Sequence, residues 1–265
     1  MLVWLSDRMP VMPITIQQSS DSFSLNKFTR TMANENTQSV HLTAKEFDLL
    51  YLLFRLVLKE ENNLKKVILY IHGKGGSYTE AELYKKSCEG FDILGVDYND
   101  YLPWIVNKQI EAVYSEISKR YDKIYILANS IGAYFAMNTL QDYCIEKALF
   151  ISPILDMEKL IFTMMNWANV SEIELQKQKE IPTKFGETLS WEYLCYVRDN
   201  PIKWNIPTKI LYAENDNLTD IQTVNSFVNT HNASLTIMKN GEHWFHTCEQ
   251  LLFLNEWLKE QCKSI

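Results

Sequence analysis

The chain has 265 residues, of which 46% are hydrophobic and 22% are charged. This length favours one large domain with an appendage, and the composition excludes disordered, collagen-like and coiled-coil chains. The net charge of −7 argues against nucleic-acid binding, and no apolar run approaches the roughly 18 residues of a membrane span. Asp7 and Arg8 come too early for a secretory leader, and five cysteines without a CxxC pair indicate reduced thiols, so we expect a cytoplasmic protein.

The first strongly predicted element is an apolar helix after Thr43. Thr43 would cap this helix, and Glu46 three residues later completes the T-x-x-E capping box. The pattern LT-x-x-E-F-x-L-L resembles the opening of OmpR-type winged-helix effector domains from bacterial response regulators. The matching residues are Leu42, Thr43, Glu46, Phe47, Leu49 and Leu50.

That resemblance implies a partial winged-helix domain over residues 1–62. The second helix, recognition helix and wing of the family are absent, because the next strand begins at Val67. Residues 1–62 hold six Lys or Arg and seven Asp or Glu, so no basic stripe faces DNA. The alternative is that this segment supplies the first strands of the domain that follows.

From Val67 onward, apolar strands alternate with helices. The predicted strands are VILYIH, FDILGVDY, KIYILAN, KALFIS, TKILYAE and SLTIMKN. Helices are predicted between them, including TEAELYKKSC with Thr79 as its N-cap, and an amphipathic helix ends the chain. This alternation predicts an α/β fold whose mostly parallel sheet is flanked by helices on both faces.

One connection, between KALFIS and TKILYAE, is much longer than the usual few residues. We expect residues 154–206 to form a helical cap over a pocket, although a pair of ordinary packing helices is the alternative. Its first helix has too many large apolar side chains for one buried face. They are Leu160, Phe162, Met164, Met165 and Trp167. Phe162, Met165 and Trp167 are the candidate substrate-binding residues.

Glycines are scarce, and five of the eight lie in three short segments. Those five are Gly73, Gly75, Gly76, Gly132 and Gly241. Gly132 closes the segment Ala-Asn-Ser-Ile-Gly, which joins a predicted strand directly to a predicted helix. A serine on such a turn is exposed at a helix N-terminus, and the turn requires small residues two positions before and after it. Ala128 and Gly132 meet that requirement, so Ser130 is a candidate nucleophile.

Asp216 follows the predicted strand TKILYAE, and His243 follows the predicted strand SLTIMKN. With the serine turn and the glycine loop His72–Gly76, these residues make residues 63–265 resemble the α/β-hydrolase superfamily. The chain order of serine, aspartate and histidine is the order that this fold imposes. The resemblance implies that Ser130 is the nucleophile, Asp216 the acid and His243 the base. It also implies an oxyanion hole built by the backbone N–H groups of Lys74 and Ile131, with Gly75 as the alternative first donor.

Each implied role has a competitor. Glu214 and Asp220 flank Asp216, and His246 follows His243 closely enough to suggest a metal site. No HExxH motif or third ligand accompanies the two histidines, so we expect no metal and no cofactor. His72 is expected to order the glycine loop.

The resulting hypothesis is a cytoplasmic serine hydrolase of the carboxylesterase or lipase kind. Its partner would be a small-molecule ester or acyl substrate, with neither a nucleic acid nor a membrane span involved. A catalytically silent binding protein with the same fold is the alternative. A DNA-binding regulator is the third interpretation.

Overall fold

The computed structural model describes residues 14–18, 21–26, 31–34, 39–43, 45–53 and 64–264. The chain divides into two compact units, Met1–Leu64 and Lys65–Ile265. The predicted boundary between residues 62 and 63 lies outside the described residues, as do Asp7 and Arg8. Within the described ranges, no helix has both the length and the apolar character needed to cross a membrane.

The described residues of the first unit form four short antiparallel strands followed by a helix. The strands pair in sequence order and are β1 (Ile14–Gln18), β2 (Asp21–Asn26), β3 (Thr31–Asn34) and β4 (Ser39–His41). Helix α1 covers residues 45–53. The backbone N–H of Thr43 donates to the Glu46 carboxylate at 2.8 Å, and the N–H of Glu46 donates to Thr43 Oγ1 at 3.4 Å. The capping box is confirmed, while the winged-helix resemblance stays a prediction.

The second unit is built on strands that are apolar and mostly buried. In chain order they are β5 (Lys66–Ile71), β6 (Asp92–Gly95), β7 (Lys123–Asn129), β8 (Lys147–Ile151), β9 (Glu180–Pro182), β10 (Thr188–Ser190), β11 (Thr208–Asn215) and β12 (Ala233–Glu242). Strands β9 and β10 pair as an antiparallel hairpin. The other six form a parallel sheet in the order β12-β11-β8-β7-β5-β6. The predicted α/β architecture is confirmed.

Helices connect the strands. They are α2 (Ala81–Tyr84), α3 (Pro103–Ile117), α4 (Ile131–Leu140), α5 (Met157–Ala168), α6 (Glu172–Gln178), α7 (Trp191–Asp199), α8 (Ile221–Thr230) and α9 (Cys248–Lys263). The prediction of Thr79 as an N-cap is wrong, because Tyr78–Glu80 is a turn of 3₁₀ helix whose N-cap residue is Ser77. The Thr79 hydroxyl instead shares a hydrogen bond with the Ser77 hydroxyl, at 2.6 Å.

Both faces of the parallel sheet are covered, as the alternation of strands and helices predicts. Successive side chains of β5 enter different cores, with Val67 and Leu69 on one face and Ile68 and Tyr70 on the other. Helices α3, α4 and α8 share the first core, and α2 and α9 share the second. Strands buried on both faces are apolar at every position, which is why β5 shows no polar alternation.

The long connection between β8 and β11 contains α5, α6, the β9–β10 hairpin and α7. Helix α5 is capped by Asp156, whose carboxylate accepts the N–H of Lys159 at 2.9 Å. It ends at Asn169, which adopts a left-handed conformation with φ of 54°. Buried Leu175, Leu189 and Leu194 attach α6, the hairpin and α7 to the larger core. This insertion is the segment predicted above to form a cap, and it keeps that name below.

Candidate active site

The residues of interest meet at one edge of the parallel sheet. Ser130 follows β7, the segment His72–Gly76 follows β5, Asp216 follows β11 and His243 follows β12. The carboxyl ends of parallel strands share an edge, and ligands of open α/β sheets bind there. The topology therefore brings four loops that are distant in sequence to a common site.

Ser130 lies on a strained turn between β7 and α4. Its φ and ψ are 55° and −122°, and its N–H donates to the carbonyl oxygen of Ile151 at 3.0 Å. A Cβ added to Gly132 would lie 2.3 Å from the carbonyl oxygen of Ile71, closer than any real contact. Position 132 thus requires glycine, because the start of α4 runs directly against the end of β5.

Ser130, His243 and Asp216 form a continuous chain of hydrogen bonds. Ser130 Oγ lies 2.8 Å from His243 Nε2, and His243 Nδ1 lies 2.7 Å from Asp216 Oδ2. The pairing of β11 with β12 continues to Asn215 opposite Glu242 after a register shift. The residues that directly follow this pair are Asp216 and His243, so the strand register brings the carboxylate to the imidazole.

The Asp216 carboxylate is buried and has hydrogen-bond partners at both oxygens. Its side chain is 0% exposed, and Oδ1 accepts the N–H groups of Leu218 at 2.8 Å and Thr219 at 3.0 Å. When this carboxylate is ionised it can only accept hydrogen bonds, and the proton between the two groups is then carried by His243 Nδ1. That tautomer leaves Nε2 as the acceptor for the hydroxyl of Ser130.

The competing acids have other partners. Asp220 caps α8 through the N–H of Thr223 and pairs with Lys159 at 2.7 Å. The hydrogen bond from Lys159 lowers the pKa of the Asp220 carboxyl. Glu214 accepts the N–H of Asn240 at 2.8 Å. Neither carboxylate is therefore directed at the imidazole of His243.

The second histidine is exposed and turned to its own segment. His246 Nδ1 lies 2.7 Å from the carbonyl oxygen of Trp244 and 3.7 Å from the Glu242 carboxylate. In the part of the chain that the structure describes, no group of three or more His, Cys, Asp or Glu side chains is arranged to hold a metal ion.

The two candidate donors of the glycine loop, the N–H groups of Lys74 and Gly75, differ in their hydrogen bonding. The N–H of Gly75 donates to the Tyr101 hydroxyl at 2.9 Å, so the alternative first oxyanion donor is already engaged. The backbone N–H groups of Lys74 and Ile131 donate to no atom of the described residues. A Cβ on Gly73 would lie 3.2 Å from the Cβ of Ser130, so this loop runs close beside the serine.

His72 is buried at the start of the same loop and contacts residues on both sides of it. Its ring stacks on Tyr98 with centroids 3.9 Å apart, and its Nδ1 and Nε2 lie 2.8 Å and 3.1 Å from the carbonyl oxygens of Gly73 and Tyr98. The Tyr98 hydroxyl donates to the carbonyl oxygen of His72. These contacts match the expected ordering role.

Ser130 opens into a cavity of about 410 Å³ beneath the cap, within the usual size of small-molecule sites. Most of its lining is apolar and comes from α5, the hairpin and the loops after β8 and β11. The apolar lining residues are Ile131, Ile154, Met157, Leu160, Ile161, Met164, Trp167, Phe185, Leu189 and Leu218. Polar groups of the wall include Lys74, Tyr101, Glu187, Thr188 and Ser190.

Of the three predicted cap residues, only Trp167 lines this cavity. Met165 is 2% exposed within the core, and the ring of Phe162 lies under the Arg198 guanidinium at 5.5 Å. The helical period explains the correction. With 3.6 residues per turn, Leu160 and Met164 lie within about 60° of Trp167 around α5, whereas Phe162 and Met165 lie more than about 130° away. That period was the signal available in the sequence.

Two polar residues of the cavity were not singled out by their sequence pattern. The Tyr101 hydroxyl accepts from the glycine loop, and Glu187 of the β9–β10 turn pairs with the Lys74 ammonium. The same ammonium lies 5.6 Å from the centre of the Tyr101 ring. No local motif marks such residues, because their partners are 26 and 113 positions away.

Neither a protein-family model nor a curated protein matches this sequence. Similar solved structures include Est1E from Butyrivibrio proteoclasticus, with a TM-score of 0.61, 19% identity and coverage of 77% of this chain and 90% of that one. Alpha/beta hydrolase domain-containing protein 10 from mouse has a TM-score of 0.62 at 9% identity, with coverage of 96% and 99%. The chain has the α/β-hydrolase fold. At these identities the likeness establishes the architecture alone.

Proposed function

We propose that this α/β-hydrolase-fold protein is a serine hydrolase that cleaves an ester or related acyl bond of a small substrate with an apolar acyl group. The observation that carries the proposal is the hydrogen-bonded series Ser130–His243–Asp216, which opens into an apolar cavity. A serine hydroxyl is a weak nucleophile until a neighbouring base accepts its proton. The proposal gives that task to His243.

In the first half of the reaction, Ser130 Oγ attacks the carbonyl carbon while its proton passes to His243 Nε2. The substrate oxygen becomes an oxyanion, for which the N–H groups of Lys74 and Ile131 are the proposed donors. Donors of this kind contribute about 2.7–4 kcal/mol each to the transition state. Collapse expels the leaving group, which takes the proton from His243 and leaves an acyl group on Ser130.

In the second half, water attacks the acyl carbon and gives its proton to His243. The Ser130–acyl bond then breaks, the serine recovers its proton and the acid product leaves. Asp216 holds the imidazole in the required tautomer and stabilises the imidazolium formed in both halves. Its burial and its bonds to Leu218 and Thr219 support that role, because they fix the carboxylate in one orientation.

The substrate class follows from the cavity wall. Met157, Leu160, Ile161 and Met164 present one face of α5 to the space above Ser130. Methionine side chains adapt to acyl chains of different shape. An apolar acyl group would bury against this face, and each buried methylene contributes about 0.8 kcal/mol, close to fourfold in kcat/KM.

Labelling with a fluorophosphonate at pH 8, followed by peptide mapping and a p-nitrophenyl ester assay, tests the proposal. We expect Ser130 to be the labelled residue, and Ser130→Ala to abolish both labelling and turnover. Ser190 also lines the cavity and serves as the matched control, since Ser190→Ala should still be labelled at Ser130. Labelling at another residue would move the nucleophile away from Ser130, whereas no labelling and no turnover would favour a silent binding protein.

A further inference from the structure

The glycine loop after β5 has few hydrogen bonds of its own to fix its conformation. Gly75 has φ of +77°, and the only backbone bond within the described turn runs from the N–H of Gly76 to the carbonyl oxygen of Gly73 at 3.1 Å. Glycine positions have wide conformational freedom. The direction of the Lys74 N–H, on which the proposed oxyanion hole depends, must therefore be set by neighbours of the loop.

Two of those neighbours belong to the segment between β6 and α3, residues 96–102. At the base of the loop, Tyr98 contacts His72 through its ring, its hydroxyl and its carbonyl oxygen. At the tip, the Tyr101 hydroxyl accepts the N–H of Gly75 at 2.9 Å. The peptide that this bond orients is adjacent to the Lys74 N–H, so a shift of Gly75 would turn the Lys74 donor as well.

Tyr101 is itself held in place. The carboxylate of Asp100 accepts the N–H of Leu102 at 2.9 Å, which closes a turn around Tyr101. Its ring packs against Tyr98 at 6.1 Å between centroids and lies beneath the Lys74 ammonium at 5.6 Å. The Lys74 ammonium in turn forms an ion pair with the Glu187 carboxylate of the cap hairpin. The hydroxyl is thus a fixed acceptor rather than a freely rotating surface group.

We propose that Tyr101 is a positioning residue of the hydrolytic reaction, whose hydroxyl orients the glycine loop by accepting the N–H of Gly75. This inference rests on the proposed function. It assigns to Tyr101 an effect on the transition state that is absent from the ground state, because the oxyanion forms only after attack by Ser130. Loss of the hydroxyl should therefore lower kcat and leave KM nearly unchanged.

The test is Tyr101→Phe, which keeps the ring against Tyr98 and Lys74 and removes only the acceptor. We expect kcat for a p-nitrophenyl ester to fall about tenfold, as for the loss of one hydrogen bond, with KM within about twofold. Affinity for a boronic acid that mimics the tetrahedral intermediate should fall by the same factor, and the thermal midpoint should be unchanged. Tyr121→Phe is the matched control and should behave as wild type. Its hydroxyl donates to Asp92, which begins β6 at the edge of the sheet opposite the loop.

Unchanged kcat and boronate affinity in Tyr101→Phe, with normal wild-type turnover, would overturn this inference alone. A rise in KM at constant kcat would also overturn it, because Tyr101 would then contact substrate rather than orient the loop. If the wild-type protein neither turns over esters nor labels at Ser130, the proposed function fails and the inference fails with it.

Discussion

The two sides of the cavity are held by different means. The side at the sheet edge is built from backbone: the strained turn at Ser130, the direct approach of Gly132 to Ile71, and the N–H groups around Asp216. The cap side is built from side chains on one face of α5 and on the hairpin. From this difference we expect changes at the sheet edge to alter rate constants, and changes in the cap to alter which substrates bind.

The largest expected effect is at the carboxylate of the sheet edge. Asp216→Asn should lower kcat by up to about 10⁴-fold with the fold intact, because an amide no longer favours the reactive tautomer of His243. Steady-state kinetics with a p-nitrophenyl ester, together with a thermal melt, measure both quantities.

Asp220→Asn is the matched control for that substitution. Asparagine is as good an N-cap as aspartate, so α8 should remain capped, and only the exposed pair with Lys159 is lost. Its kcat should stay close to wild type. If Asp220→Asn were the more damaging substitution, the acid would have to be reassigned and the comparison of the two sides would lose its main support.

The cap side is tested by two neighbouring methionines of α5. Met164 lines the cavity, whereas Met165 is 2% exposed in the core. Met164→Ala should flatten or shift the dependence of kcat/KM on acyl length from acetyl to octanoyl, with little loss of stability. Met165→Ala should reduce the free energy of unfolding by about 2–5 kcal/mol and keep the wild-type dependence on acyl length.

Ester series of increasing acyl length, assayed for both variants and for wild type, separate these outcomes. A flat wild-type profile would contradict the apolar-acyl proposal. The same change of profile in Met164→Ala and Met165→Ala would show that specificity follows from cap stability in general, which would break the proposed division between the two sides.

The smallest effect is expected within the cap, at Arg198. This residue of α7 pairs with Glu158 of α5 at 2.6 Å and with Glu172 of α6 at 2.7 Å. The hydrogen bonds that the guanidinium donates to Glu172 and Glu158 raise its pKa further. Arg198→Met keeps a stem over Phe162 and removes the pairs, and we expect the thermal midpoint to fall by about 2–4 °C.

That difference in midpoint between Arg198→Met and wild type should shrink at high salt, because exposed ion pairs are screened. The dependence of kcat/KM on acyl length should be unchanged. An altered acyl preference in this variant would mean that the relative placement of α5, α6 and α7, and not only the lining side chains, sets specificity.

The sheet edge could be predicted from the sequence because its constraints are local. Ser130, Asp216 and His243 each follow a recognisable strand, and the requirement for a small residue at Gly132 follows from the geometry of the turn. The parallel order of strands then determines that these residues meet. The capping box of Thr43 and Glu46 was predictable for the same reason, since both partners lie within one helical turn.

The cap and the support of the glycine loop were harder to predict because their partners are distant. Phe162 and Met165 are large and apolar, but the helical period places Leu160 and Met164, with Trp167, on the cavity side of α5. Tyr101 and Glu187 contact the glycine loop only because the fold brings residues 96–102 and the hairpin next to it. Thr79 was misjudged because that segment forms a 3₁₀ turn before only a short α-helix.

The chain of hydrogen bonds at Ser130 has a consequence for the order of folding. Asp216 and His243 are 27 residues apart within one β11–α8–β12 crossover, whereas Ser130 and His243 are 113 residues apart. Contacts of greater sequence separation require more loop-closure entropy and form more slowly. Asp216 and His243 can thus pair within a local unit, but Ser130 meets His243 only after β7, β8, β11 and β12 have joined. Under the proposed function, we expect the reactivity of Ser130 during refolding to follow the joining of these four strands rather than the appearance of the helices.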